Sequence, residues 1–127
     1  MIAYWLVLVA ALLPYGFILY AKSTREYRVH GHNKHPREYE EKLVGARQRA
    51  HWAHLNGFEA FPPFAAGVVI AVIAGVPEAR VNLIAGVFVA CRVAHGLLYI
   101  ADLDKLRSLA WFGGLGAVSS LYVLAAT

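Results

Sequence analysis

Apolar residues along the chain form four runs, each of about the length that crosses a membrane. The runs occupy residues 2–21, 44–75, 81–101 and 108–126, with short polar stretches between them. A helix rises about 1.5 Å per residue, so about 20 residues span the roughly 30 Å hydrocarbon core of a bilayer. The pattern predicts an all-α membrane protein, a single domain with a bundle of four transmembrane helices.

The longest polar stretch, residues 22–42, separates the first two runs and carries charges of both signs. It must leave the bilayer, and we interpret it as a solvated loop. Its histidines, His30, His32 and His35, suggest a metal site as an alternative. Gly31 and Pro36 make the backbone irregular, however, and no cysteine completes a familiar ligand set, so no metal site is predicted.

The charge distribution sets the predicted topology. The chain is 59% hydrophobic, has 12 Lys and Arg residues and carries a net charge of +4. These basic residues lie between apolar runs and form no separate basic module, so nucleic acid is not expected as a partner. Ten of the 12 fall in the first and third connections when the polar start of the second run is included, eight of them from Lys22 through Arg49. The positive-inside rule therefore predicts that these two loops are cytoplasmic and that both termini lie on the opposite face.

The second run opens with polar residues in the sequence GARQRAHWAHLNGFEAFPPF, residues 45–64. At helical spacing, Arg49, Asn56 and Glu59 share one face. The opposite face carries a second polar group, Arg47, His51 and His54. An ionisable side chain inside hydrocarbon costs at least about 2.5–3.5 kcal/mol, so both faces need partners. We expect this helix to be central, with its own bundle on one side and another subunit on the other.

The third run carries a polar stripe, because Arg92, His95 and Tyr99 are separated by three and four residues. One interpretation is a buried polar network that only holds the bundle together, since structural networks also bury charges. The other is an anion-binding cavity. The arginine donor fork suits carboxylates, and the hydroxyls of Tyr99 and Ser108 can donate to a thiolate.

Two local features concern helix packing. Pro62 and Pro63 each lack a backbone N–H, which predicts an interruption and a bend in the second helix. The fourth run is rich in small residues that permit close helix approach: Gly113, Gly114, Gly116, Ala117, Ser119 and Ser120.

Two segments together resemble a known family. RAHWAHLNGFEAFPPF and, further along, CRVAHGLLYIADLDKLRSLAW are similar to the MAPEG family, the membrane-associated proteins of eicosanoid and glutathione metabolism. The resemblance covers nearly the whole chain. Eukaryotic members carry an arginine at the position of Trp52, and the pattern here is closer to the bacterial branch. That likeness suggests a bacterial inner membrane.

The resemblance implies roles for individual residues. Asn56 and Glu59 match the family's Asn-x-x-Glu motif, which helps to hold glutathione as cosubstrate. Arg107, with Ser108, matches the arginine proposed to stabilise the glutathione thiolate. The candidate glutathione-binding residues are therefore Arg49, Asn56, Glu59, Arg92, His95 and Tyr99. Family members are homotrimers with a site between neighbouring subunits, which would explain two polar faces on one helix.

Two functions follow as alternatives. The first is a homotrimer that binds glutathione or a similar thiol and conjugates or reduces a lipophilic electrophile arriving from the membrane lipid, with transferase or peroxidase-like activity. The second is a non-catalytic membrane scaffold or interaction protein that keeps the family fold. A proton or solute carrier is disfavoured, because no pair of interrupted segments occupies corresponding halves of the chain.

Overall fold

The computed structural model describes all of residues 1–127, which form helices and no strands. Four long helices are α1 (Ile2–Lys22), α4 (Gly45–Ile73), α5 (Glu78–Ile100) and α6 (Asp104–Ala126). Two short helices, α2 (Arg25–Val29) and α3 (Pro36–Glu41), lie in the first connection. All four long helices are long and apolar enough to cross a membrane. The all-α membrane bundle is confirmed, and the chain is an integral, multi-pass membrane protein.

Two features of the long helices differ from expectation. Helix α4 is continuous through Pro62 and Pro63, so the expected interruption does not occur. Nearby, the carbonyl oxygen of Pro63 accepts a 2.9 Å hydrogen bond from the Tyr122 hydroxyl of α6. This hydrogen bond links α6 to α4 next to the two prolines. Helix α6 begins at Asp104, four residues earlier than expected, so Arg107 lies inside its first turn.

The first connection is more ordered than a solvated loop. It contains α2, a 3₁₀ turn at His32–Lys34 and α3, and the Thr24 hydroxyl accepts a hydrogen bond from the Tyr27 amide at the start of α2. Tyr39 and Leu43 are buried and pack with residues at the ends of α1 and α4, namely Ile18, Ala21 and Ala50. This apolar cluster holds the connection against the bundle, and only its outer residues remain solvated.

Helix α4 is central, and it packs against α1, α5 and α6. The middle of the bundle is a stacked aromatic pair, Phe64 of α4 on Phe88 of α5, with ring centroids 3.9 Å apart. Val68, Val81 and Leu121 are fully buried around this pair. Since α4 has 29 residues, it is about 43 Å long and exceeds the roughly 30 Å hydrocarbon core.

Glycines that contact α1 make the two closest helix approaches. A Cβ added to Gly96 of α5 would overlap the Phe17 ring of α1, and one added to Gly57 of α4 would lie 2.7 Å from Pro14 Cγ. On α6, a Cβ added to Gly113 would lie 2.9 Å from the Cys91 Sγ atom of α5, whereas Gly116 faces open space. Small residues therefore permit close packing both against α1 and between α5 and α6.

The start of α1 is stabilised by a side chain from α5. The Asn82 Oδ1 atom accepts a 2.8 Å hydrogen bond from the Ala3 amide, and the Asn82 amide group donates to Glu78 Oε1 at 3.4 Å. The first amides of a helix have no partner within the helix itself, and α1 has no side-chain cap of its own. Asn82 fills that role from a distant part of the chain.

Candidate functional site

A chain of hydrogen bonds joins α5 to the polar face of α4. The Arg92 Nη2 atom donates to Asn56 Oδ1 at 2.7 Å, and the Asn56 Nδ2 atom donates to Glu59 Oε2 at 3.2 Å. Arg92 is only 6% exposed, whereas Glu59 is exposed. The chain therefore runs from a buried cation to a carboxylate at the surface.

A cavity of about 240 Å³ lies beside this chain, between α4, α5 and α6. Its polar wall consists of Asn56, Glu59 and Arg92. The remaining wall is mainly apolar and includes Phe88, Trp111, Leu115 and Val118. Trp111 and Leu115 are also exposed on the bundle surface. The cavity can therefore present a cation and a carboxylate to one part of a ligand and an apolar surface to another.

A second cavity, of about 270 Å³, adjoins the first, and Asn56 and Trp111 line both. The Arg107 guanidinium lies 4.3 Å from the centroid of the Tyr99 ring, and the His95 ring meets Tyr99 edge-on at 5.5 Å. His95 is 3% exposed, and its Nδ1 atom is buried without a hydrogen-bond partner. The other lining residues are Ser108 and Phe112.

Arg49 is the one candidate residue that lines neither cavity. Its Nε atom donates to the Ile100 carbonyl oxygen at 3.0 Å, and its Nη1 atom lies 3.9 Å from the Asp102 carboxylate. A helix C-terminus has unpaired carbonyls and a partial negative charge, which attract a cation. The structure therefore places Arg49 at the end of α5. Asp102, at φ 62°, turns the chain there towards α6.

The opposite polar face of α4 is covered by the same chain. The Arg47 Nη1 atom donates to the Tyr20 carbonyl and to Ser23 Oγ, and the His54 Nδ1 atom donates to the Pro14 carbonyl at 2.9 Å. His51 lies 3.6 Å from the Glu40 carboxylate of α3. Helices α1 and α3 of the same chain therefore supply the partners of this face.

Trp111 is the lining residue that the sequence pattern did not single out. It follows Arg107 by four residues, and that spacing places the two on one face of α6. The spacing was therefore available as a signal, but a tryptophan in an apolar run is ordinary for a membrane helix. Only the positions of α4 and α5 show that Trp111 borders both cavities.

Comparison with known proteins assigns the family. The sequence model of the MAPEG family matches residues 2–127, which is almost the whole chain. No curated protein and no solved structure matches the chain. The family includes glutathione transferases, is generally associated with glutathione, and its members generally oligomerise and bind small molecules. With four membrane-length helices and a match over residues 2–127, this integral membrane protein belongs to the MAPEG family.

Proposed function

We propose that the chain binds glutathione or a similar thiol in the two cavities that meet at Asn56, and that it conjugates or reduces a lipophilic electrophile. The observation that carries the proposal is the Arg92–Asn56–Glu59 chain, which ends in a cavity whose other wall is apolar. Such a cavity suits a peptide with charged ends beside a substrate that arrives from lipid.

Arg107 is the candidate for stabilising the thiolate. It pairs with no carboxylate of the chain, so its charge is available to a ligand beside the Tyr99 ring. A free thiol has a pKa of about 8.5, and lowering that value by one unit represents about 1.4 kcal/mol. A neighbouring cation lowers the pKa of a thiol in this way. The Ser108 hydroxyl lines the same cavity and would donate a hydrogen bond to the sulfur.

The chemistry that this site supports is attack by the thiolate sulfur on an electrophilic carbon. A carbon–sulfur bond forms, and the electron pair leaves with a departing group or moves to an adjacent atom that then takes a proton. In the peroxidase-like reaction, two thiols are oxidised to one disulfide, and a hydroperoxide is reduced to an alcohol and water.

The remaining residues would hold the rest of the ligand. Arg92 suits a carboxylate, Glu59 the α-amino group and Asn56 a backbone amide, by the chemistry of their side chains. His95 and Tyr99 would orient the peptide near its sulfur. We assign Arg49 to the end of α5 and not to the ligand, because its Nε atom is already bound to Ile100.

A non-catalytic scaffold is the second candidate, and one observation favours it. Both ends of the Asn56 amide already have partners, one in Arg92 and one in Glu59. A network that is complete without a ligand is also what a purely structural role requires. The scaffold would keep the same fold and the same buried arginine.

The decisive experiment combines three measurements on the detergent-solubilised protein: calorimetric titration with glutathione, thiolate absorbance and conjugation of a generic electrophile. We expect binding, ionisation and turnover. In Glu59→Gln, the affinity for glutathione should fall about ten-fold or more, because a hydrogen bond to a charged group is worth about 1.5–3 kcal/mol and is made equally in ground and transition states. A wild-type protein that neither binds nor ionises glutathione would leave the scaffold as the function.

We also propose that the protein is a homotrimer with the site between neighbouring subunits. Glu59 lies at the middle of α4 and is exposed, although a carboxylate at membrane depth is costly. A second copy against α4 and α6 would cover it. Native mass spectrometry from mild detergent should show three chains, and a folded monomer that still binds glutathione would remove the intersubunit site.

We further propose that the first and third connections face the cytoplasm of a bacterial inner membrane, since ten of 12 basic residues lie in them or in the adjoining helix ends. A reporter active only in the cytoplasm, fused after Thr127, should then be inactive. Activity of that reporter would reverse the topology and the side from which the thiol enters.

A further inference from the structure

A separate charged cavity lies in the first connection, outside the candidate glutathione site. Its volume is about 430 Å³, and it is enclosed by α2, the 3₁₀ turn, α3 and the start of α4. It lies beside the end of α1 and the beginning of α4, where the chain crosses the membrane boundary. Its charged and titratable walls include Glu26, His32, Lys34, Glu38, Lys42 and Arg47.

The cations of this cavity have unused hydrogen-bonding capacity. Lys34 and Lys42 have no carboxylate within 4 Å, and the only approach of a wall carboxylate to a basic side chain is from Glu26 to the His32 ring, at 3.9 Å. Arg47 uses its Nη1 atom alone, so Nη2 and Nε have no protein partner. Ammonium and guanidinium groups with free donors are the groups that bind phosphate oxygens in proteins.

A metal ion does not explain this cavity, although histidines and carboxylates line it. No three His, Cys, Asp or Glu side chains of the chain are placed to hold one ion. The formal balance of the wall, with histidines neutral, is three cations against two carboxylates. A group with a single negative charge therefore matches the cavity better than a cation does.

One exposed apolar side chain lines the same cavity, and others are exposed on the adjoining helices α1 and α2. Val44 lines it and is 78% exposed, and Val29, at the end of α2, is 65% exposed. Leu19 and Tyr20, at the end of α1, are also exposed. A small soluble anion would leave the Val44 side chain without a partner. A ligand with a phosphate and attached hydrocarbon would use both surfaces.

We propose that this cavity binds the phosphate of a glycerophospholipid that carries one net negative charge, with its acyl chains against Val44 and the outer surface of α1. Lys34, Lys42 and Arg47 hold the phosphate oxygens. The lipid thereby fixes the first connection at the membrane surface. A soluble phosphate ester offers the same oxygens but cannot occupy the apolar border.

The test compares two double variants with equal loss of charge. Lys34→Gln with Lys42→Gln removes two cations from the cavity, whereas Arg25→Gln with Arg28→Gln removes two exposed cations of α2 that do not line it. Each protein, in neutral detergent, is titrated with phosphatidylglycerol, phosphatidylcholine and glycerol phosphate, and bound lipid is counted by native mass spectrometry. Thermal unfolding without lipid checks that both variants fold.

We expect the wild-type protein to bind one phosphatidylglycerol per chain. The affinity for this lipid should fall about ten-fold or more in Lys34→Gln with Lys42→Gln, and less than two-fold in the control, Arg25→Gln with Arg28→Gln. Val44→Ser should weaken lipid binding and leave glycerol phosphate unaffected. Equal losses in the two double variants would show general charge attraction and overturn the proposal. If glycerol phosphate binds as tightly as phosphatidylglycerol, the ligand of the cavity is a soluble phosphate ester and not a lipid. If phosphatidylcholine binds as tightly as phosphatidylglycerol, the net negative charge of the lipid does not determine binding, and the proposal is overturned.

Discussion

The two polar faces of α4 carry similar types of residue but differ in what surrounds them. On the face towards α1, Arg47 and His54 bind backbone carbonyl oxygens, and His51 lies beside the Glu40 carboxylate. On the face towards α5 and α6, Asn56 and Glu59 border two open cavities. The first face is closed by its own chain, and the second still has room for a ligand or another copy.

The difference shows how a polar residue at membrane depth should be interpreted. A side chain that meets the carbonyls of a neighbouring helix needs nothing more, since its donors are satisfied inside the protein. Glu59 has only the Asn56 amide and remains exposed. We therefore expect variants on the side of α1 to change stability alone, and variants beside the cavities to change ligand chemistry alone.

The largest expected effect is on turnover in Arg107→Ala. Removing the cation beside Tyr99 should lower the glutathione conjugation rate about 10- to 100-fold, the scale of one electrostatic stabiliser. Glutathione affinity and thermal unfolding should stay close to wild type. Lys105→Ala is the matched control, because it removes an exposed cation from the same turn of α6. The measurement is kcat and KM for both variants.

Equal losses of turnover in Arg107→Ala and Lys105→Ala would assign the effect to surface charge. Unchanged turnover in Arg107→Ala would remove that residue from the mechanism. Thiolate absorbance in each variant separates loss of ionisation from loss of binding.

The next effect is on stability, in Gly96→Ala. The added methyl group overlaps the Phe17 ring, and such overpacking should lower the free energy of unfolding by about 1–3 kcal/mol. Gly86→Ala, in the same helix, has nothing within 4 Å of its new Cβ and should be neutral or stabilising. Thermal unfolding in detergent measures both. Comparable stability of the two variants would show that α1 does not pack on Gly96 as described.

The smallest effect is expected in Glu40→Gln. Glu40 pairs with Lys22 and lies beside His51, and it is only 12% exposed, so loss of its charge should lower the free energy of unfolding by about 1 kcal/mol. Glu41→Gln changes an exposed neighbour with no ion pair and should have no effect. A change of glutathione affinity in Glu40→Gln would contradict the separation of the two faces.

Part of the site followed from sequence spacing alone. Residues three and four apart share a helix face, so Asn56 with Glu59, and Arg92 with His95, were grouped correctly without coordinates. The hydrogen bond between Arg92 and Asn56 fits that grouping. Helix faces could be predicted because the helical repeat of about 3.6 residues relates only residues that are close in the sequence.

Two partners of the other face could not be predicted, because they are backbone atoms. The carbonyls of Pro14 and Tyr20 exist in every residue, and no side-chain pattern marks them as acceptors for His54 and Arg47. The apolar cluster around Tyr39 was equally hidden, since isolated apolar residues in a charged segment give no period. Both features depend on how the first connection folds back.

Asn82 has a consequence for the order in which the protein is made. It caps the Ala3 amide across a sequence separation of 79 residues, so α1 enters the membrane long before its cap is synthesised. At about 5–20 residues per second, that interval is roughly 4–16 seconds. During it, the first amides of α1 depend on water or lipid headgroups for hydrogen bonds. The first transmembrane helix, α1, therefore gains the hydrogen bond that caps its start only after α5, the third transmembrane helix, has been inserted beside it.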